Sequence, residues 1–398
     1  MVINKKLTHQ STKIHNRILT LKTIYEHQEI SRADIARMTG LTRPTISSAV
    51  AELIDEGIVE ETRQGPSAGG KPPIFLRVVP TSCYLIGIDL NSDEFRGGVL
   101  DLRGNLLHSV VHPVNEQDGD LALKLAYELI DELVTWADRP VLGIGLGTPG
   151  VIDAEHGIIR RAVNLDWEAL PLQNLLQKRY DLPVYIANNT HLAALGEYTF
   201  GCHPDSKNLI VVKVGRGISA GIVIKGQLFY GDGAGAGEIG HVVAVDGGEA
   251  CRCGNFGCLE TVASTRAIVK RAKVIAQSNP HSLLHNFAPT VEAIDLPAVH
   301  QAFVAGDEDV QQIISDVGRF LGAALAHLVG ALNIEHILIG GLMSSFGEPL
   351  LESIRRAMRR RAMSLLVDET QVGFSTLGTN SVILGAGAII LTEELGIV

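Results

Sequence analysis

Apolar positions recur at helical spacing from the start of the chain. Over residues 13–29, Ile18, Leu19, Leu21 and Ile24 share one side, which predicts an amphipathic helix. Ser31 is placed to cap a second helix, with Asp34 in its first turn, where a carboxylate meets the positive end of the helix dipole. Gly40 marks a turn, Thr42 caps a third helix, and Pro44 suits that helix's first turn. Ile35, Ala36, Leu41, Ile46, Val50 and Leu53 have the spacing of a small three-helix core, which leaves Arg43, Thr45, Ser47 and Ser48 facing outward. This is a helix-turn-helix pattern. Residues 58–61 and 74–78 read as the two strands of a wing, joined by the Gly/Pro-rich tip Q-G-P-S-A-G-G-K-P-P that carries Lys71.

From residue 84 the pattern changes. Y-L-I-G-I-D-L-N-S-D-E-F-R-G-G-V-L-D-L predicts a buried strand, a turn and a second strand, and R-G-N-L-L begins a further arm. Residues 121–136 form an amphipathic helix pattern. V-L-G-I-G-L-G-T-P-G is a buried strand ending in a Gly/Pro loop, and 183–187 is a strand followed by a helix over about 190–197. The pattern then restarts: N-L-I-V-V-K-V-G-R-G-I-S-A-G-I-V-I-K-G-Q-L is again strand, glycine turn, strand and hairpin. Helices are expected near 264–276, 293–304 and 308–332. H-I-L-I-G-G-L is a buried strand, a helix starts near 349, a strand lies near 371–375, and an apolar helix closes the chain near 381–395. Two halves built alike predict duplicated α/β lobes with a cleft between them. The expected organisation is a winged helix-turn-helix domain over 1–80, with wing and linker at 63–80. A first lobe over 81–196 takes in the terminal helix 381–398, and a second lobe covers 197–380.

Charge sharpens this division. The 398 residues sum to −10, but residues 1–80 carry a net +3 and the rest −13. An acidic body repels nucleic acid, so DNA contacts are expected only in the N-terminal segment. The candidates there are Arg32, Thr42, Arg43, Thr45, Ser47, Ser48 and Lys71. No apolar run reaches the ~18 residues of a membrane span and the first 30 residues lack a signal-peptide core, so a cytoplasmic protein with no membrane partner is expected.

The densest chemistry lies in 237–260, which reads G-E-I-G-H, nine residues, then C-R-C-G-N-F-G-C-L-E. Three of the five cysteines fall within eight residues, with His241 upstream. Cys251, Cys253, Cys258 and His241 are the number and type of ligands that a closed tetrahedral zinc site needs. One structural zinc per chain is therefore expected. Glu238 and Glu260 flank this knot without being required by it. Cys83 and Cys202 read as ordinary buried thiols.

Taken together, these elements resemble a transcriptional regulator of the ROK family (repressors, open reading frames and sugar kinases) over essentially the full length. The resemblance rests on the helix-turn-helix, G-L-G-T-P-G at 145–150, V-G-R-G-I-S-A-G-I at 214–222, G-E-I-G-H, C-x-C-G-x-x-G-C-x-E, and I-L-I-G-G at 337–341. It implies an actin-like, sugar-kinase and ribonuclease H-like fold of two lobes, a structural zinc, a sugar pocket in the cleft and a homodimer or homotetramer. The sugar-contacting set it implies is Asn164, Asn188, Asn189, Glu238, His241 and Glu260. Carboxylates and amides of this kind can each bind two neighbouring hydroxyls.

The family's kinases place a catalytic aspartate where this chain has Asn189, in A-N-N-T-H-L-A-A-L-G-E. An amide cannot accept the sugar hydroxyl's proton, and losing a general base typically costs ~10²–10⁴ in rate. His191 also departs from the family's usual Asn. The first hairpin reads D-L-N-S from Asp89 to Ser92, with Asn91 replacing a phosphate-approaching glycine, and the second reads G-R-G with Arg216. Arg216 is expected to fill the vacated nucleotide site. These departures predict a sugar-responsive repressor that is not an enzyme and that binds double-stranded operator DNA and a small sugar effector. Two alternatives stand beside it: an ATP-dependent ROK kinase with an appended DNA-binding domain, and a regulator controlled by a protein partner.

Overall fold

Ser31 caps the second helix as expected, and together with Ile30, which lies between the two expected helices, it also makes a short strand, because Ile30 is buried and its backbone pairs with Leu76. The first helix of this computed structural model therefore runs His9–Glu26, ending earlier than the apolar spacing predicted. The structure describes residues 9–65, 72–91, 93–115, 117–201 and 206–397, so Lys71, Ser92 and Cys202 lie outside the described residues. Contacts divide the chain into two compact units, Met1–Ala187 with Ile383–Val398, and Asn188–Val382.

In the first unit, helices Arg32–Thr39 and Arg43–Asp55 follow His9–Glu26, and Leu21, Ile24, Ile35, Ile46, Val50 and Leu53 are all fully buried. Burying each such side chain contributes roughly 1.5–3 kcal/mol, enough for a small core to hold. Ala36 and Leu41, expected in this core, are half-buried at its edge. The wing strands Val59–Gln64 and Ile74–Val78 pair antiparallel with Val59 opposite Val78, so the first strand is longer than expected. This head is docked on the rest of its unit. The Tyr25 hydroxyl donates to Leu102 O at 2.8 Å, Arg103 Nη1 donates to Tyr25 O, and the guanidinium lies 4.4 Å from the Tyr25 ring centre.

The duplicated sequence pattern becomes duplicated topology. In the first unit, Tyr84–Leu90 pairs antiparallel with Glu94–Leu100, which pairs antiparallel with Leu106–Pro113. On its other side Tyr84–Leu90 pairs parallel with Val141–Thr148, and Val184–Asn188 completes five strands. In the second unit Asn208–Val214 takes the same central place. Ile218–Ile224 and Gln227–Leu228 lie to one side, and His336–Gly340 and Gln371–Phe374 lie parallel on the other. Both sheets thus run third, second, first, fourth, fifth in their own chain order.

Residues 151–180 hold a small three-stranded sheet and the helix Leu172–Tyr180, neither predicted above. The helix does carry a readable stripe, Leu172 and Leu176, both fully buried. Helix Asn189–Phe200 was assigned to the first lobe, yet its contacts are with the second unit's strands Asn208–Val214 and Ile218–Ile224. Its close approach is set at Gly221, where an added Cβ would stand 2.2 Å from Thr190 O.

The second unit's core is organised by Glu308–Leu332, whose buried stripe includes Val310, Ile313, Ile314, Val317, Leu321, Leu325 and Val329. This helix is long and apolar enough to cross a membrane by length and hydropathy alone, which the search for apolar runs did not register. Half of its most apolar window is buried in the protein, as expected of an amphipathic core helix.

Candidate metal centre and ligand site

The 237–260 segment folds as a knot of short backbone bridges. Leu259 N donates to Val242 O at 2.9 Å, Gly257 N to Glu249 O at 2.7 Å, and Cys251 N to Asn255 O at 2.7 Å. These turns bring the side chains of His241, Cys251, Cys253 and Cys258 together, with one ligand atom from each lying within 4.8 Å of all the others. Cys253 Sγ is 3.7 Å from Cys258 Sγ, and Cys251 Sγ is 3.6 Å from His241 Nδ1. Tetrahedral zinc with ~2.3 Å bonds to sulfur requires sulfurs about 3.8 Å apart, so the cluster fits a metal of that kind. Burial, with the neighbouring thiols, pushes the Cys258 thiol up to about 12, while the Asn255 backbone N–H draws Cys253 down. Thiols held this close ionise together only when a cation offsets their charge.

The histidine links the knot to the flanking carboxylates. Its Nδ1 faces Cys251, while its Nε2 lies 4.0 Å from Glu238 Oε2. A metal-binding ring is oriented by whatever its second nitrogen meets, and here that is a carboxylate. Partial burial, with a contribution from the nearby Glu260 charge, raises Glu238 above the ordinary carboxylate range. Glu260 sits in the first turn of the short helix Leu259–Ala263, and its Oε2 accepts from Ile218 N at 3.2 Å. It thereby ties the knot to the turn at Gly215–Gly217, where Arg216 is exposed.

Asn188 and Asn189 begin the helix Asn189–Phe200. Asn188 is its cap and accepts from Thr190 N at 2.8 Å, and Asn189 is buried in the first turn. His191 follows two residues later. It is buried, which holds it neutral by lowering its pKa, and its Nε2 lies 3.1 Å from Ala236 O. The Tyr230 ring meets it edge-on at 5.2 Å. Sequence reasoning noted His191 only as a departure from a pattern. Its partner Ala236 immediately precedes Gly237 and Glu238, so the contact ties the helix start to the loop that carries Glu238. The second unit therefore contains Asn188, Asn189, Glu238, His241 and Glu260. Asn164 is exposed on the turn Val163–Leu165 of the first unit.

In the head, the caps read from the sequence are present. Ser31 Oγ accepts from Asp34 N at 3.2 Å, and Thr42 Oγ1 accepts from Thr45 N at 3.4 Å. Gly40 turns the chain at φ +70°. Arg43, Ser47 and Ser48 are exposed on one helix and Thr45 is half-exposed beside them. Arg32 is engaged in an ion pair with Glu61 of the wing at 2.7 Å, a partner that its position in the sequence did not reveal.

Comparison with known proteins adds to this geometry. The ROK family model matches residues 85–393, and a winged helix-turn-helix DNA-binding model matches residues 14–60. A xylose repressor of Caldicellulosiruptor bescii is 34% identical over 97% of this chain and 98% of its own length. A glucokinase of Halalkalibacterium halodurans is 31% identical over 78% of this chain and 96% of its own length. A solved ROK family transcriptional regulator, a homologue of the Escherichia coli MLC protein, superposes with a TM-score of 0.86 at 29% identity, over 97% of this chain and 98% of that one.

Proposed function

The chain belongs to the ROK family, and from that premise we propose that it is a sugar-responsive, DNA-binding repressor of carbohydrate-utilisation genes in the cytoplasm. The observation that carries this reading is the second unit's arrangement. A four-residue cluster suited to a metal is flanked by two carboxylates, Glu238 and Glu260, and in the same unit the position where the family's kinases carry a base is held by the buried amide Asn189. Such a site can bind hydroxyls and has no side chain at Asn189 able to accept a proton from one. The relative that matches over 97% of this chain is named a repressor, whereas the glucokinase matches over 78% of it.

His241, Cys251, Cys253 and Cys258 would hold one zinc ion. With four protein ligands it keeps no open position, so it supplies cross-linking rather than chemistry. The chain's own residues do the rest. Glu238, Glu260, Asn188, Asn189 and the free edge of His241 bind sugar hydroxyls, and His191 fixes the loop that presents Glu238. Asn164 joins this set on the resemblance alone. A site of buried polar groups rejects a sugar with a missing or inverted hydroxyl, because its own groups are then left unpaired.

Two heads in a homodimer would enter successive major grooves of a near-palindromic operator ~34 Å apart, with Arg43, Thr45, Ser47 and Ser48 facing the DNA. Arg32 and Lys71 complete the set of expected contacts. Sugar shifts the protein away from its operator only to the extent that it binds one state more tightly than the other. The Tyr25–Arg103 docking offers a firm mechanical path, because the head rests on its unit instead of hanging from a linker.

The test pairs a thermal-shift screen over pentoses and hexoses, with xylose among the first, with an ADP-release assay on the same panel. One or a few sugars should raise the melting temperature by mass action and produce no ADP. Sugar-dependent turnover lost on Glu238→Gln would establish the kinase reading instead.

A further inference from the structure

The four side chains of the knot differ in how far solvent reaches them. Cys258 is fully buried, Cys251 is 9% exposed and His241 is half-buried. Cys253 instead lies on the surface, within a run of exposed residues from Arg252 to Phe256. Buried structural thiols are inert, whereas an exposed one can be attacked from solution. The group that Cys253 meets is another thiol. Its Sγ stands 3.7 Å from Cys258 Sγ, van der Waals contact for two sulfurs, while Cys251 Sγ faces the His241 ring at 3.6 Å.

The backbone on either side of this pair differs too. Gly254 adopts φ +96° with nothing within 4 Å of an added Cβ, so the turn that carries Cys253 has room to adjust. Gly257 adopts φ +71°, and an added Cβ there would stand 1.7 Å from Val245 O, so the chain entering Cys258 is packed in place. Cys253 can therefore close on Cys258, with Cys258 as the fixed point.

We propose that Cys253 and Cys258 are a peroxide-modified pair, converted to a disulfide that dismantles the metal site and frees the loop carrying Glu238 and Glu260. The Cys253 thiolate attacks one oxygen of hydrogen peroxide, the O–O bond breaks and hydroxide leaves, giving a sulfenic acid. The Cys258 thiolate then attacks that sulfur. An S–S bond forms, the S–O bond breaks and a second hydroxide leaves. The two sulfurs give up two electrons, and the peroxide, with two protons from solvent, becomes two waters. Cys251 and His241 remain, two ligands where a zinc ion needs four. Glu260 follows Cys258 by two residues and Glu238 precedes His241 by three, so both carboxylates are anchored through members of the cluster. The proposal rests on the zinc-holding role given above and adds to it a means of control, in which peroxide switches off the sugar response.

The test uses the full chain with Cys83→Ser and Cys202→Ser, which leaves the three cysteines of the knot as the only thiols. Elemental analysis comes first. A preparation without zinc overturns the zinc-holding role and this proposal together, whereas zinc that is present but resists peroxide overturns this proposal alone. A few equivalents of hydrogen peroxide should release the zinc to a chelating dye. Peptide mapping should find a Cys253–Cys258 bridge, with the mass lower by about 2 Da. Dithiothreitol with added zinc should restore both the metal and the melting temperature. Cys253→His keeps a two-cysteine, two-histidine set that zinc accepts, and its zinc should be released at least about tenfold more slowly. If that variant holds no zinc, the mapping and the reversal on the parent chain decide. The proposal is wrong if the bridge involves Cys251, or if Cys253 passes only to the sulfinic or sulfonic acid, which dithiothreitol does not reverse. It is also wrong if Cys253→His sheds its zinc as fast as the parent chain.

Discussion

Replacing Gly237 by alanine should uncouple sugar binding from an otherwise intact fold. Gly237 precedes Glu238 and adopts φ +91°, a conformation L-residues rarely take. Its backbone lies along the strand Ile218–Ile224: Ala220 N donates to Gly237 O at 2.7 Å, and an added Cβ would stand 1.8 Å from Ala220 O. Backbone strain of this kind costs about 1–3 kcal/mol. Relieving the clash moves the loop off the strand and forfeits that hydrogen bond, about 1 kcal/mol more. A total near 3 kcal/mol in a unit of about 200 residues lowers the melting temperature by roughly 6–12 °C. Gly235 is the internal control, two residues away in the same loop with nothing within 4 Å of its would-be Cβ. Gly235→Ala should stay within about 0.5 kcal/mol of the original chain. The assay is thermal melting with and without the sugar found in the screen. Gly237→Ala should also lose the sugar-induced rise, because Glu238 moves with the loop. If the two alanine variants melt alike, or if Gly237→Ala keeps the full rise, the close approach does not position Glu238.

Three further outcomes follow from other residues. Glu197 is fully buried and accepts from Ser375 Oγ, from Thr376 Oγ1 at 2.9 Å and from Leu377 N at 2.9 Å, so Glu197→Ala should lower urea-unfolding stability by about 3 kcal/mol. Cys251→Ser should leave less than one zinc per chain by elemental analysis and reduce both melting temperature and sugar response, since binding free energy at such a site is folding free energy. Glu238 has a raised pKa in the fold, so its contribution to stability is present below the ordinary carboxylate range and is lost as pH rises through its raised value. Glu238→Gln should therefore raise the ligand-free protein's stability at pH 7 by at most a few tenths of a kcal/mol, the side chain being partly solvated, while weakening sugar binding about tenfold or more. Equal losses in stability and binding would show that Glu238 is structural.

Much of this molecule is legible along the chain, for reasons that can be named. The caps at Ser31 and Thr42 and the turn at Gly40 are local events, decided within four residues, and each lies where the pattern placed it. The metal cluster is legible because its ligands come from two short runs and few other chemistries gather one histidine and three cysteines. The topology of each sheet follows from a hairpin followed by crossovers, which the repeated pattern displays. The small sheet over 151–170 escaped because strands of three to five residues carry too little alternation to stand out.

What the sequence by itself determined is the inventory: a helix-turn-helix head in an N-terminal segment of net positive charge, two α/β halves, four ligands for a metal, and an amide where the family's kinases keep a carboxylate. What only the tertiary structure decided is which distant groups meet. His241 turns one nitrogen to Cys251 and the other toward Glu238, His191 reaches 45 residues along the chain to Ala236, and Arg32 is engaged by Glu61. Tyr25 of the head is held by Arg103, 78 residues away. Local propensity acts over a turn or a strand pair, whereas these contacts depend on the packing of whole elements, and no periodicity in the letters records it.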